Sequence, residues 1–121
     1  MLKLNQVHTD IGELHIIHGV SLNIEKGEFV SLLGSNGAGK TTLFRTLAGV
    51  LKPSKGTIEF DGIQINKLPV HKIVEKGVVL CPQGRQLFPE LSVYKNLMMG
   101  AYPLRGDNKR ISKNLDRVYE H

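Results

Sequence analysis

Residues 34–42 read Gly-Ser-Asn-Gly-Ala-Gly-Lys-Thr-Thr (GSNGAGKTT), and the reading of this short stretch decides the fold. Gly34, Gly39, Lys40 and Thr41 satisfy the pattern G-x-x-x-x-G-K-[ST], with Gly37 as an additional glycine inside it. Glycines let a backbone turn through positive φ and come close to an anion, so that successive N–H groups point inward at phosphate oxygens. Ser35, Asn36 and Ala38 complete the loop. A chance match to four specified positions has a probability on the order of one in a few hundred, from average residue usage. The stretch therefore reads as the cradle of a phosphate chain. Lys40 is placed to reach its terminal phosphates, Thr41 to offer a hydroxyl to a Mg²⁺ ion, and Thr42 to lie near the first phosphate.

The flanking sequence supplies the strand and helix that such a loop requires. Residues 28–34, EFVSLLG, form a mostly apolar run with the length and composition of a buried strand. From Lys40 onward, Leu43, Phe44, Leu47 and Ala48 recur at helical spacing, and Gly49 is a plausible stop. Upstream, Leu2, Leu4 and Val7 open a strand, a turn falls around Asp10 and Gly12, and residues 14–24 alternate as a second strand. These predict an antiparallel edge. Downstream, the turn KPSKG leads to TIEF and IQI, joined by Asp61-Gly62, a strong hairpin signal.

Pro69 fits the first turn of a short helix ending near Gly77, and VVLC at 78–81 predicts another buried strand. An irregular connection, CPQGRQLFPEL, precedes a helix over VYKNLMMGA that Ser92 can cap, although Lys95 stands where a capping box would place Glu or Gln. In the last stretch, Ile111, Leu115, Val118 and Tyr119 share one face of a further helix.

Composition excludes several classes. With 40% hydrophobic residues the chain can build a core, and no apolar run approaches the roughly 18 residues needed to cross a bilayer. The first residues lack a signal-peptide pattern, so a cytoplasmic chain is expected. Cys81, the single cysteine, follows an apolar run and is expected to be a small buried hydrophobe. The five histidines have no zinc spacing, and His15 and His18, three apart in a strand, are expected on opposite faces. The formal charge of +5 is concentrated in residues 61–121, with ten Lys/Arg against six Asp/Glu. It forms no basic cluster of the kind that tracks nucleic acid, and a solvated helix face is the simpler reading of residues 105–117.

The combination of SLLGSNGAGKTTLFRTLAGVLKPSKGTIEFDG with PQGRQLFPELSVYKNLMMGA closely resembles the ATP-binding subunits of ABC transporters. Within that family it is most similar to the shorter ATPase subunit of branched-chain amino acid importers. The resemblance implies an α/β P-loop NTPase fold with an antiparallel β-subdomain, an incomplete RecA-like core and the start of a helical subdomain. On this scheme residues 1–33 and 57–65 form the β-subdomain with the Walker A strand, and 34–49 the P-loop and its helix. Residues 78–89 hold a strand and the Q-loop, and 90–121 begin the helical subdomain.

The resemblance also implies roles. Gly34 to Thr42 bind ATP, Lys40 acts on its phosphates, Thr41 and Gln83 approach Mg²⁺, and Gln83 senses the membrane partner. An amide suits that last task, because its oxygen can meet a metal-bound water while its nitrogen holds a carbonyl. Ile11 stands where the family usually has an aromatic residue against adenine, so this chain offers apolar contact without π-stacking. The implied partners are membrane permease subunits and a second ATPase subunit, in a homo- or heterodimer at the inner face of the membrane.

The family's signature motif, Walker B strand, catalytic glutamate and switch histidine have no counterpart in these residues, so the expectation is an N-terminal portion that binds Mg-ATP without hydrolysing it. Weak stability or self-association is expected for this portion alone. A urea or amide importer is a second reading within the class. A DNA-associated ABC-type ATPase is a reading of another class, disfavoured because residues 90–121 show no sustained heptads. A non-catalytic nucleotide-binding fragment is the other.

Overall fold

Strand β1 (Leu2–Ile11) changes face partway along its length, and the sheet is built around that change. In a computed structural model that describes residues 1–84 and 86–120, Leu4 is buried before the change, and Val7 and Thr9 are buried after it. Simple alternation would send positions 4 and 7 to opposite faces. Gln6, with φ of 46°, takes up the extra residue as a bulge, and its N–H is held by the Ser21 hydroxyl at 3.0 Å. Gly56 faces this bulge at φ of 86°, where an added Cβ would collide with the carbonyl oxygens of Asn5 and Gln6. Only glycine fits there.

β1 pairs antiparallel with β2 (Leu14–Ile24) on one side and with β3 (Lys55–Phe60) on the other. A short β4 (Ile63–Gln64) pairs with β3, giving the order β2-β1-β3-β4. The expected Asp61-Gly62 turn joins β3 to β4 with φ of 49° and 76°, both positive as a type I′ hairpin requires. Asp61 also receives the N-terminal ammonium at 3.4 Å.

Helices α1 (Lys40–Leu47) and α2 (Val70–Glu75) complete this first unit, Met1–Leu80. Leu4, Val7, Ile17 and Ile58 from the strands form one core with Ile65, Leu43 of α1 and Ile73 of α2. Gly49 ends α1 as predicted. Its N–H donates to the Thr46 carbonyl at 3.0 Å, and that of Val50 donates to the Arg45 carbonyl at 2.9 Å, the paired bonds of a Schellman motif. Gly77 and Val78 close α2 in the same way on Val74 and Ile73. Pro69 stands one position earlier than predicted, as the extended N-cap of α2.

The second unit, Cys81–His121, is helical. Ser92 caps α3 (Val93–Gly100) by accepting from the Lys95 N–H at 3.3 Å, and Asp107 caps α4 (Asn108–Tyr119) by accepting from Arg110 at 3.0 Å. A 3₁₀ turn, Tyr102–Leu104, links them. Of the apolar face expected on α4 only Ile111 is buried, and Val118 and Tyr119 are exposed. The irregular segment before α3 is tied down by Asn96, whose amide donates to the carbonyls of Phe88, Leu91 and Ser92, each at 3.1 Å, and accepts from Phe88 N–H at 3.0 Å.

Four expectations are corrected. Residues 28–34 form no strand: Phe29 is 92% and Leu33 89% exposed. A run that is apolar on both faces is buried only between neighbouring strands and covering layers, and among the described residues no strand pairs with this one. The expected strand at 78–81 is likewise unpaired, with Val79 exposed. Cys81 is exposed, because the segment meant to bury it does not enter the sheet. The rings of His15 and His18 lie edge to face at 6.5 Å and not on opposite faces of a regular strand, since the register of β2 against β1 is irregular here and Gly19 follows with φ of 69°. Arg85 of the expected 78–89 segment and His121 of the last helix lie outside the described residues.

Candidate nucleotide-binding site

The stretch Gly34 to Thr42 closes on the side chain of its own lysine. The Lys40 ammonium donates to the carbonyl oxygens of Gly34 and Ser35, both at 2.7 Å, so the end of the loop is tied to its beginning. Within this ring the Ala38 N–H donates to the Ser35 carbonyl at 3.2 Å, and Gly37 and Gly39 take φ of 85° and 88°. Asn36 lies at the exposed turn between Ser35 and Ala38.

Gly39 is the N-cap of α1, and β2 fixes its place. A Cβ built there would stand 2.9 Å from Ile17 Cδ1 and 3.3 Å from the Ile16 carbonyl oxygen. A side chain would push the start of the helix off the strand. The first helical bond runs from the Leu43 N–H to the Gly39 carbonyl at 2.8 Å. The N–H groups of Lys40, Thr41 and Thr42 precede it and belong to the first turn, which has no intrahelical acceptors. α1 has no side-chain cap and no acidic residue in its first turn, so the positive end of its dipole is uncompensated. An anion is the natural occupant.

A buried pair of hydroxyls, not anticipated from the sequence, locks α1 to β1. Thr46 donates its single proton to the Thr42 carbonyl at 2.8 Å, so in its 3.1 Å contact with Thr9 the Thr9 hydroxyl is the donor. Both residues are fully buried. Their spacing of 37 residues gave no local signal.

The Thr41 side chain is exposed at the helix start, and Gln83 is exposed in a turn with Gly84 at φ of 86°. A hydroxyl and an amide oxygen are hard ligands that suit Mg²⁺, so the donor types fit that ion. Gln83 belongs to the second unit, whereas the loop belongs to the first. Among the described residues no group of three His, Cys, Asp or Glu side chains could hold a metal ion by itself. Ile11, half exposed, closes β1 at the first hairpin. Beside it His15 contacts Asp10 at 2.7 Å, and that bond, with a second from Ser54, holds the Asp10 carboxyl below its ordinary 3.8.

Similarity to known proteins gives the family. The family description "ABC transporter" matches residues 17–121. The chain is 38% identical over 120 residues to a high-affinity branched-chain amino acid transport ATP-binding protein, BraG, of Pseudomonas aeruginosa, covering 99% of this chain and 51% of that one. It is 36% identical over 115 residues to a spermidine/putrescine import ATP-binding protein, PotA, of Legionella pneumophila, covering 95% of this chain and 31% of the relative. Among solved structures it superposes on the dimeric, ADP- and Pi-bound post-hydrolysis state of the ATP-binding cassette MJ0796. The TM-score is 0.77 at 28% identity, over 96% of this chain and 55% of that one. The chain thus spans between about a third and about half the length of these relatives.

Proposed function

Since the chain belongs to the ABC transporter family, we propose that it is the N-terminal portion of an ATP-binding subunit that energises import through a separate membrane permease. The observation that carries this reading is the Lys40 ring leading into α1, whose first N–H groups, those of Lys40, Thr41 and Thr42, have no intrahelical acceptor. In it Gly34 to Thr42 hold the phosphates of ATP, Lys40 neutralises the terminal ones, and Ile11 gives apolar contact to the base. Thr41 would offer its hydroxyl to Mg²⁺, which supplies charge neutralisation during phosphoryl transfer; for Gln83 a role toward Mg²⁺ is carried by the family resemblance alone.

We place part of the permease-facing surface around residues 83–100, a reading supported by the apolar character of that stretch. Leu87, Phe88, Val93 and Tyr94 are exposed, and Leu87, Phe88 and Leu91 line a cavity of about 250 Å³. No helix among the described residues is long and apolar enough to cross a membrane. A second ATPase subunit would complete each nucleotide site. Branched-chain amino acids are the proposed solutes, on the likeness to the Pseudomonas protein; a urea or amide importer is the second reading within the class, and a polyamine import protein is also similar, at 36% identity.

The test is nucleotide affinity with Mg²⁺ beside turnover in the same buffer. The expected result is ATP binding without sustained turnover, because phosphoryl transfer also needs an aspartate on the metal and a base for water, which the family carries in other segments. Lys40→Ala should weaken binding at least about tenfold, a change of roughly 1.4 kcal/mol. Unchanged affinity would overturn the assignment of the loop, and turnover abolished by the same substitution would overturn the division of labour between segments.

A further inference from the structure

A second basic hollow lies in the first unit, built by segments distinct from the phosphate-cradling loop. The turn before β3 and the residues after β4 enclose a cavity of about 490 Å³ lined by Lys52, Ser54, Lys55, Gln64, Asn66 and Lys67. Three lysines line it, Lys52 with its ammonium held by the Leu68 carbonyl, and no carboxylate is among its lining residues. Among the described residues neither Lys55 nor Lys67 has an ion-pair partner. Asp10, which reaches this turn, is engaged by His15 and by the Ser54 hydroxyl, and Glu59 stands opposite Gln64 on the neighbouring strand.

The walls are held rather than loose. Lys52 donates to the Leu68 carbonyl at 2.5 Å, which anchors the turn to the segment leading into α2. The Ser54 N–H donates to the His8 carbonyl at 2.9 Å, and Asn66 accepts from the Ile58 N–H at 3.3 Å. Gly56 is fixed by its contact with the β1 bulge. Like charges gathered without counter-charges repel one another, and an anion between them removes that cost. The flanking Gln64 and Asn66 amides can add directed bonds to its oxygens.

We propose that this hollow is a binding site for a phosphate-bearing anion, separate from the loop at residues 34–42. The two sources of that chemistry are a soluble phosphate and an anionic lipid headgroup. The site does not depend on the transporter reading, since it rests on the side chains of the β3 and β4 turns alone.

The experiment uses the Lys40→Ala chain, in which the loop no longer competes for anions. Inorganic pyrophosphate is titrated into ¹⁵N-labelled protein, and in parallel the protein is sedimented with vesicles of pure phosphatidylcholine or of phosphatidylcholine with phosphatidylglycerol. Shifts confined to residues 52–56 and 64–67, weakened at least about tenfold by the double substitution Lys55→Gln, Lys67→Gln, are expected for a soluble ligand. Sedimentation with the anionic vesicles alone, lost in the same double variant, would identify the headgroup source. The folded state of that variant is checked by its spectrum, since both lysines are exposed. Absence of both responses, or responses that survive the double substitution, would overturn the site.

Discussion

β1 and the segment at 28–34 are both apolar by composition, yet one is the centre of the sheet and the other is bare. Val7 and Ile58 are wholly buried on adjacent strands, whereas Phe29 and Leu33 face solvent almost entirely. Hydrophobicity is a property of the segment, but burial is a property of its neighbours. β1 has a partner strand on each side and helices across one face; residues 28–34 have neither among the described residues. An apolar run of this kind is half of an instruction, and the relatives carry a comparable length of chain that this one does not include.

The largest expected effect tests that contrast directly. Ile58→Ala should destabilise the first unit by about 2–5 kcal/mol, the range for deleting a fully buried side chain that leaves a cavity. Leu33→Ala should change stability by no more than about 0.5 kcal/mol, as for an ordinary surface substitution. Denaturant unfolding of the two variants reads the difference; equal losses would mean that residues 28–34 pack in solution. A smaller effect is expected at the join between β1 and α1. Thr46→Val keeps the shape but strands the Thr9 hydroxyl, with an expected loss of about 1–3 kcal/mol. Restoration by a second change, Thr9→Val, would show that the cost lies in the unpaired hydroxyl and not in the altered packing.

The smallest effect concerns the hairpin end of β1. The Asp10 carboxyl is depressed in the folded chain by its bonds to His15 and Ser54. Its contribution to stability is therefore fully present above its unfolded value of about 3.9 and is lost as pH falls through the lower folded value. Asp10→Asn should flatten the stability of the first unit between about pH 4 and pH 2 relative to the parent. An identical acid limb in both would show that the pair has no hold on the hairpin.

Much of the site was legible because it is local. Gly37, Gly39 and Lys40 act through backbone angles and reach that nine consecutive residues determine, and the ends of α1 and the Asp61-Gly62 turn obey the same short-range rules. What escaped was non-local. The bulge at Gln6 depends on Gly56 fifty residues on, and Thr9 meets Thr46 only after the sheet and α1 have packed. Asn96 looks like an ordinary helix residue until the carbonyls of Phe88 and Leu91 are brought over it. The strand expected at 28–34 failed for the opposite reason, since its signal was strong and among the described residues no strand pairs with it.

The two bonds from Lys40 to Gly34 and Ser35 have a geometric sequel. An ammonium carries three protons. Two of them hold the loop, so the group stands as a tripod with two feet on its own backbone and the third aimed away from them. A phosphate oxygen could accept a hydrogen bond from that third N–H with both loop bonds intact. The lysine is at once the clasp of the loop and its single outward-facing finger.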